Sequence, residues 1–128
     1  MKLLLDTHAF IWWDSDPARL PPQVLALCRD RQNVLLLSVV SVWEMQIKIQ
    51  LGKLRLTLPL AEIIEAQRQM NNVEILPIAL EHVLALENLP AHHKDPFDRL
   101  LIAQAIVEEA TLVSADPNIA RYDVPVVW

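Results

Sequence analysis

The sequence predicts an α/β fold, a sandwich built around a mainly parallel sheet, on the strength of three observations. Short, wholly apolar runs at residues 3–5 and 34–37 have the length and composition of strands buried on both faces. Stretches with apolar residues at helical spacing alternate with such runs, as they do when parallel strands are joined by right-handed crossovers. The 128 residues suffice for one globular domain and fall short of two of ordinary size, so a single domain spanning residues 1–128 is expected.

The elements follow in order. Leu3, Leu4 and Leu5 predict a buried strand that ends at Asp6. Phe10, Ile11, Trp12 and Trp13 predict a short helical stretch, and residues 14–22 a loop. In residues 23–31, Val24, Leu27 and Cys28 fall at helical spacing. Residues 34–37 repeat the buried-strand pattern and run into a helix over 39–51, and a further helix is expected over 60–70. A short strand at 73–76 and a helix at 79–89 come next. The clearest helix is 96–109, with Leu100, Leu101, Ala103, Ile106 and Val107 as its apolar face. Residues 111–114 and 124–127 predict the last two strands. With a single glycine, Gly52, and nine prolines, turns rely on proline, Asn and Asp. Periodicity leaves the strand order open.

Composition narrows the classes. A hydrophobic fraction of 53% with 21% charged residues fits a folded chain and not a disordered one. The single cysteine, Cys28, excludes an internal disulfide and sits in an apolar stripe, where a core role outweighs a nucleophilic one. The N-terminal apolar run meets Asp6 too soon for a cleavable secretory signal. No stretch approaches the roughly 20 apolar residues needed to cross a bilayer. A soluble, cytoplasmic protein without a membrane partner is therefore expected. The net charge of −5 argues against nucleic-acid binding by bulk electrostatics, although cations bound to clustered acids reverse the local sign.

Four acids carry the chemistry, and each also has an ordinary structural explanation. Asp6 ends a strand at the edge where open parallel sheets bind ligands, and it also suits an N-cap. Glu44 fits a capping box with Ser41 or a surface pair with Lys48. Yet on a helix beginning near Ser38 it lies in the second turn among Val42, Trp43, Met45 and Ile47, where an unpaired charge is costly. Asp98 occupies the first turn of the clearest helix, where the dipole favours an anion. Asp95 before Pro96 reads as that helix's N-cap. Asp116 follows a strand and precedes Pro117, so it too suits a cap. Together, four carboxylates at one sheet edge repel one another, since two unit charges about 4 Å apart cost roughly 4 kcal/mol at an effective dielectric near 20. They must bind a cation or shift their pKa values. An oxygen-only set favours Mg²⁺ or Mn²⁺ over zinc.

The segments Leu4-Leu-Asp-Thr-His8, Ser38-Val-Val-Ser-Val-Trp-Glu44, Gly52-Lys-Leu54, His93-Lys-Asp-Pro-Phe-Asp-Arg-Leu-Leu-Ile-Ala103 and Ser114-Ala-Asp116 resemble, in order, the successive motifs of PIN-domain nucleases. The likeness is strongest to the VapC-type toxins of toxin–antitoxin systems. It runs from Met1 to the C-terminus, and it implies a three-layer α/β/α sandwich with endoribonuclease activity that depends on Mg²⁺ or Mn²⁺, one or two ions. It also implies that Asp6, Glu44, Asp98 and Asp116 are the acidic quartet, with Asp6 and Asp98 the foremost metal ligands and Asp95 an additional acid. A homodimer, and an antitoxin encoded by an adjacent gene, are implied partners.

On this reading the reaction is metal-assisted phosphodiester hydrolysis. Thr7 and Ser114 are candidates to hydrogen-bond a ligand or water, and Lys48, Lys53, Arg55, Lys94 and Arg99 to contact RNA phosphates. For any single one of these cations, solvated surface charge is the simpler account. His8, His92 and His93 fit structural or solvent-facing roles better than ligation. Trp12 and Trp13 are expected at a dimer or partner surface. Haloacid-dehalogenase-like phosphatases need a second aspartate where His8 stands, and receiver domains an acidic pair where Asp6 stands alone. The remaining alternative is a catalytically inactive PIN-like module that binds RNA or protein, which the presence of all four acids disfavours.

Overall fold

The computed structural model describes all residues, 1–128. Strands β1 (Lys2–Leu5), β2 (Val34–Ser38), β3 (Glu74–Leu76), β4 (Thr111–Val113) and β5 (Val126–Val127) form one sheet in the order β3-β2-β1-β4-β5. Every pairing is parallel. The chain works outward from β1 to β3, then returns to lay β4 on the other side of β1. The crevice between β1 and β4 is thus where the winding reverses, the place such sheets bind ligands.

Strand geometry sorts the core into two layers, because successive side chains point to opposite faces. Leu3, Leu5, Leu35, Leu37 and Val113 pack on one face with Phe10, Trp13, Val24 and Ile63. These come from helices α1 (Thr7–Ser15), α2 (Pro22–Arg29) and α4 (Leu60–Asn71). Leu4, Leu36 and Leu112 pack on the other with Leu101, Ile102 and Ala105 of α6 (Pro96–Glu108). Helix α3 (Val39–Gln50) sends Met45 to the first layer and Val40 to the second. The α/β/α sandwich is therefore present. Leu3, Leu4 and Leu5 are fully buried, which is why the central strand reads as an unbroken apolar run.

Helix α1 begins at Thr7, directly after β1, with Asp6 as the N-cap its position suited: the carboxylate accepts the Ala9 N–H at 2.8 Å. Several other elements depart from the sequence expectation. The helix expected over 79–89 is instead a short α5 (Leu80–Leu84) followed by a 3₁₀ turn (Ala85–Asn88). Leu80, Val83 and Leu84 are exposed, so no apolar stripe anchors a longer helix; the buried His82 side chain holds the segment. The final strand shrinks to Val126–Val127, since Pro125 has no N–H for a ladder. In α6 Ile106 is 44% exposed while Ile102 and Gln104 are buried, so the expected apolar face is rotated. Trp13 corrects another expectation. It is a core residue whose indole N–H donates to Gln67 Oε1 at 2.9 Å, not a surface for a partner.

Candidate active site

Four segments deliver acids to one cleft of about 400 Å³, lined by Asp6, Glu44, Asp95, Asp98 and Asp116 with Thr7, His8 and Lys48. Because the strands are parallel, Asp6 after β1 and Asp116 after β4 arrive at the same edge. Ser114 joins them: its Oγ accepts the Asp116 N–H at 3.1 Å, and its hydroxyl acts to lower the Asp6 pKa. Asp116 in turn accepts the Asn118 N–H at 2.9 Å, the cap-like turn anticipated for it. The structural and functional readings of these acids coexist.

Glu44 is aimed by a buried anchor at the start of its helix. Ser38 caps α3 by accepting the Val40 N–H at 3.0 Å and donates to Gln104 Oε1 of α6 at 2.5 Å. That bond sets the register of the two helices that carry Glu44 and Asp98. Glu44 is held at both oxygens: Thr7 Oγ1 donates to Oε1 at 2.6 Å, and Lys48 Nζ lies 3.1 Å from Oε2. The surface pair with Lys48 therefore forms, inside the cleft. Ser41, the alternative capping partner, makes no such bond; its buried Oγ has no hydrogen-bond partner.

Asp95 caps α6 as expected, accepting the N–H groups of Phe97 at 2.9 Å and Asp98 at 3.1 Å. Asp98 has a partner that sequence spacing did not suggest. His93 Nε2 lies 3.3 Å from its Oδ2, and His93 Nδ1 lies 2.8 Å from the Tyr122 hydroxyl. The only sequence hint was that His93 precedes Asp98 by five residues; nothing local points to Tyr122.

The electrostatics bear the mark of crowded acids. Burial pushes the Asp6 carboxyl above its usual range, opposed by the Ser114 and Ala9 hydrogen bonds and by His8, and reinforced by Asp116. Burial also raises Asp98 to about 6, assisted by the charges of Asp95, Asp116 and Glu44 and opposed by its bond to His93. Such groups hold protons more tightly than water-exposed acids, and a cation in the cleft relieves both the desolvation and the repulsion.

The donor set is oxygen-only, so it fits a hard divalent ion. The quartet is open, however: the one trio of candidate ligand residues whose donor atoms lie within 4.8 Å of one another is Glu81, His82 and Glu108, elsewhere in the fold. That trio is a structural cluster. His82 Nδ1 accepts the Ala79 N–H at 2.9 Å, so Nε2 carries the proton and donates to Glu108 at 3.0 Å. No lone pair remains on the ring for a metal. The open quartet suits an ion that keeps several of its waters, as Mg²⁺ does.

The remaining candidates divide. Lys48, Lys53 and Lys94 line a shallow groove continuous with the cleft at Glu44 and Asp95. Arg55 lines neither. Arg99 points away from the acids: Nη1 donates to Pro90 O at 2.8 Å and to the Tyr122 hydroxyl at 3.0 Å. Trp12, half-buried, lines the cleft and packs on Trp128 and under Arg19. Trp43 is 55% exposed and meets Phe97 edge-on. Cys28 is buried, which raises its thiol to about 11 and leaves it inert, as its apolar setting predicted.

Comparison with known proteins agrees with this architecture. The PIN domain family model matches residues 3–125. The ribonuclease VapC22 of Mycobacterium tuberculosis is 28% identical over 130 residues, covering 98% of each chain. Among solved structures, VapBC2 from Rickettsia felis, bound to a DNA fragment from its promoter, superposes with a TM-score of 0.75 at 17% identity, covering 99% of this chain and 98% of that one. VapBC-1 from nontypeable Haemophilus influenzae gives 0.61 at 18% identity, covering 99% and 97%. At these identities the two structures speak for the fold.

Proposed function

The chain belongs to the PIN domain family, and from that premise we propose that it is a Mg²⁺- or Mn²⁺-dependent endoribonuclease, the VapC-type toxin of a toxin–antitoxin pair. The observation that carries the reading is the convergence of Asp6, Glu44, Asp98 and Asp116 in one cleft at the switch point of the sheet, with Asp6 and Asp98 pushed toward protonation. A ribonuclease relative aligned end to end, and structural neighbours solved as VapBC assemblies, support the substrate class and an antitoxin partner.

Asp6 and Asp98 would hold the ion or ions, with Glu44 and Asp116 completing the set. A bound divalent ion supplies an activated water and offsets charge developing on the scissile phosphate. The protein's own contributions are positional. Thr7 and Lys48 fix the Glu44 carboxylate, and Ser114 links Asp6 to Asp116. Lys48, Lys53 and Lys94 offer cations to RNA phosphates along the adjoining groove. An antitoxin encoded beside the gene would restrain the enzyme in the cytoplasm, and a homodimer is its expected assembly.

The test compares wild type with Asp6→Asn and Asp98→Asn, in Mn²⁺-dependent cleavage of structured and unstructured RNA and in growth arrest on expression. Wild type should cleave and arrest growth, and both variants should do neither. Equal cleavage by all three would remove the site assignment. A wild type that cuts no RNA would favour the inactive binding module.

A further inference from the structure

The contact between His93 and Asp98 is the end of a longer chain of hydrogen bonds, and the chemistry of its first member fixes the direction of all the others. We propose that Arg99, Tyr122 and His93 form a one-way relay that positions the Asp98 carboxylate by presenting it with a neutral N–H donor. The inference deepens the reading of Asp98 as a metal ligand and rests on it.

Arginine has five N–H groups and no acceptor, so Arg99 can only donate. Its Nη1 lies 3.0 Å from the Tyr122 hydroxyl, and it is tethered at the same time to Pro90 O at 2.8 Å. A second donor, the His93 backbone N–H, lies 3.4 Å from the same oxygen. A phenol has two lone pairs and one proton. With donors on its lone pairs, Tyr122 has only its proton left to offer, and the remaining neighbour is His93 Nδ1 at 2.8 Å. The ring nitrogen therefore accepts. A neutral imidazole that accepts at Nδ1 carries its proton on Nε2, and Nε2 faces Asp98 Oδ2 at 3.3 Å.

The relay is built to stay in place. Tyr122 is 4% exposed, which leaves its hydroxyl little access to bulk water. Its ring is braced edge-on by His92 at 4.8 Å and His93 at 5.4 Å between centroids. Arg121 Nη1 donates to His92 O at 3.0 Å, so the segment after β4 is stitched to the loop before α6. The segments bearing Asp116 and Asp98 are thereby joined to each other.

A neutral donor does what a cation would not. Lys48 beside Glu44 cancels that carboxylate's charge. His93 Nε2–H orients Asp98 while leaving its charge for an ion, the arrangement by which hydrogen-bonded outer residues orient metal ligands. His93 itself, with a proton on the nitrogen that faces Asp98, is a positioning residue and not a ligand.

The test uses the full-length protein. In wild type at about pH 8, ¹⁵N spectra of the histidine side chains should show His93 as the Nε2–H tautomer. Tyr122→Phe keeps the buried ring and removes the phenol. It should abolish the tautomer preference, weaken Mn²⁺ binding by about 10-fold or more, and lower kcat while leaving KM for RNA unchanged. His93→Gln, which retains a side-chain N–H, should recover part of the Mn²⁺ affinity that His93→Phe loses. An Nδ1–H tautomer in wild type overturns the relay whatever the variants do. So does a folded Tyr122→Phe that binds Mn²⁺ as wild type does. If the tautomer and Mn²⁺ results hold while wild type cuts no RNA, the nuclease reading fails and the relay stands. If wild type binds no Mn²⁺, both fail.

Discussion

Helix α6 carries a carboxylate against a histidine at each end. At its N-terminal end Asp98 meets His93 at 3.3 Å, and at its C-terminal end Glu108 meets His82 at 3.0 Å. In both pairs Nδ1 is occupied by a donor, the Tyr122 hydroxyl or the Ala79 N–H, so in both Nε2–H faces the acid. The pairwise chemistry is the same and the surroundings are not. Asp98 shares its cleft with Asp6, Glu44, Asp95 and Asp116, whereas His82 is 2% exposed, and both it and Glu108 sit away from the cleft. A histidine–carboxylate contact is thus an isolated clasp or one edge of an acidic cleft according to how much further charge is gathered around it.

The sharpest test of that contrast is to neutralise each acid in turn. With Asp98 in the proposed role of direct ligand, Asp98→Asn should reduce Mn²⁺-dependent RNA cleavage by about 10²-fold or more, beyond the roughly 10–100-fold that outer partners cost. Glu108→Gln should leave the rate within about twofold, because it lies outside the cleft. Equal losses would erase the distinction between the two ends.

The histidines should reverse the ranking when stability is measured. His82→Ala removes a buried side chain that ties α5 to α6 and leaves the Ala79 N–H without its partner, a cost of about 2–3 kcal/mol. At roughly 4 °C per kcal/mol for a chain of this size, thermal unfolding should fall by about 10 °C. Cleavage per folded molecule should be unchanged. A drop below about 2 °C would mean that the clasp contributes little to the fold.

A third, smaller effect follows from protonation. Asp98 holds its proton up to about 6 against a reference near 3.8, so between those values the native chain binds more protons than the unfolded one. Its contribution to stability is present below that window and lost as pH rises through it; the raised Asp6 acts in the same direction. Mn²⁺ should therefore raise the unfolding temperature by a few degrees at about pH 7 and by much less at about pH 5, where protons compete. Asp98→Asn should flatten the difference, and an equal Mn²⁺ shift at both pH values would contradict the shared origin of these effects.

The smallest effect is expected on α3, the helix registered against α6. Ser41 Oγ is buried without a hydrogen-bond partner, so Ser41→Ala should leave the unfolding temperature unchanged or raise it by about 1–3 °C. A loss of several degrees, read by calorimetry, would show that the hydroxyl is satisfied by a buried water.

Much of the fold was legible because its signals are local. Leu3, Leu4 and Leu5 announce a strand buried on both faces, and Asp95 before Pro96 marks where α6 begins. The helix expected over 79–89 forms as α5 running straight into a 3₁₀ turn, and it tightens for a physical reason: Leu80, Val83 and Leu84 face outward, and the buried His82 side chain anchors the first turns. The acids were found because each sits at a position with its own local meaning, the end of a strand or the first turns of a helix. Arg99 and His93 were assigned less well, since their partners lie in other segments.

By itself the sequence determined the α/β class and the cap on α6 and singled out the four acids that line one cleft, because apolar periodicity and capping act over a few residues. Only the tertiary structure decided the strand order, the Ser38–Gln104 register that aims Glu44, and the turning of Arg99 away from the cleft toward Tyr122. The bond from His93 to Tyr122 joins residues 29 positions apart, and that from Ser38 to Gln104 residues 66 apart. Contacts of that reach exist only once packing has closed the intervening chain, so no local pattern encodes them.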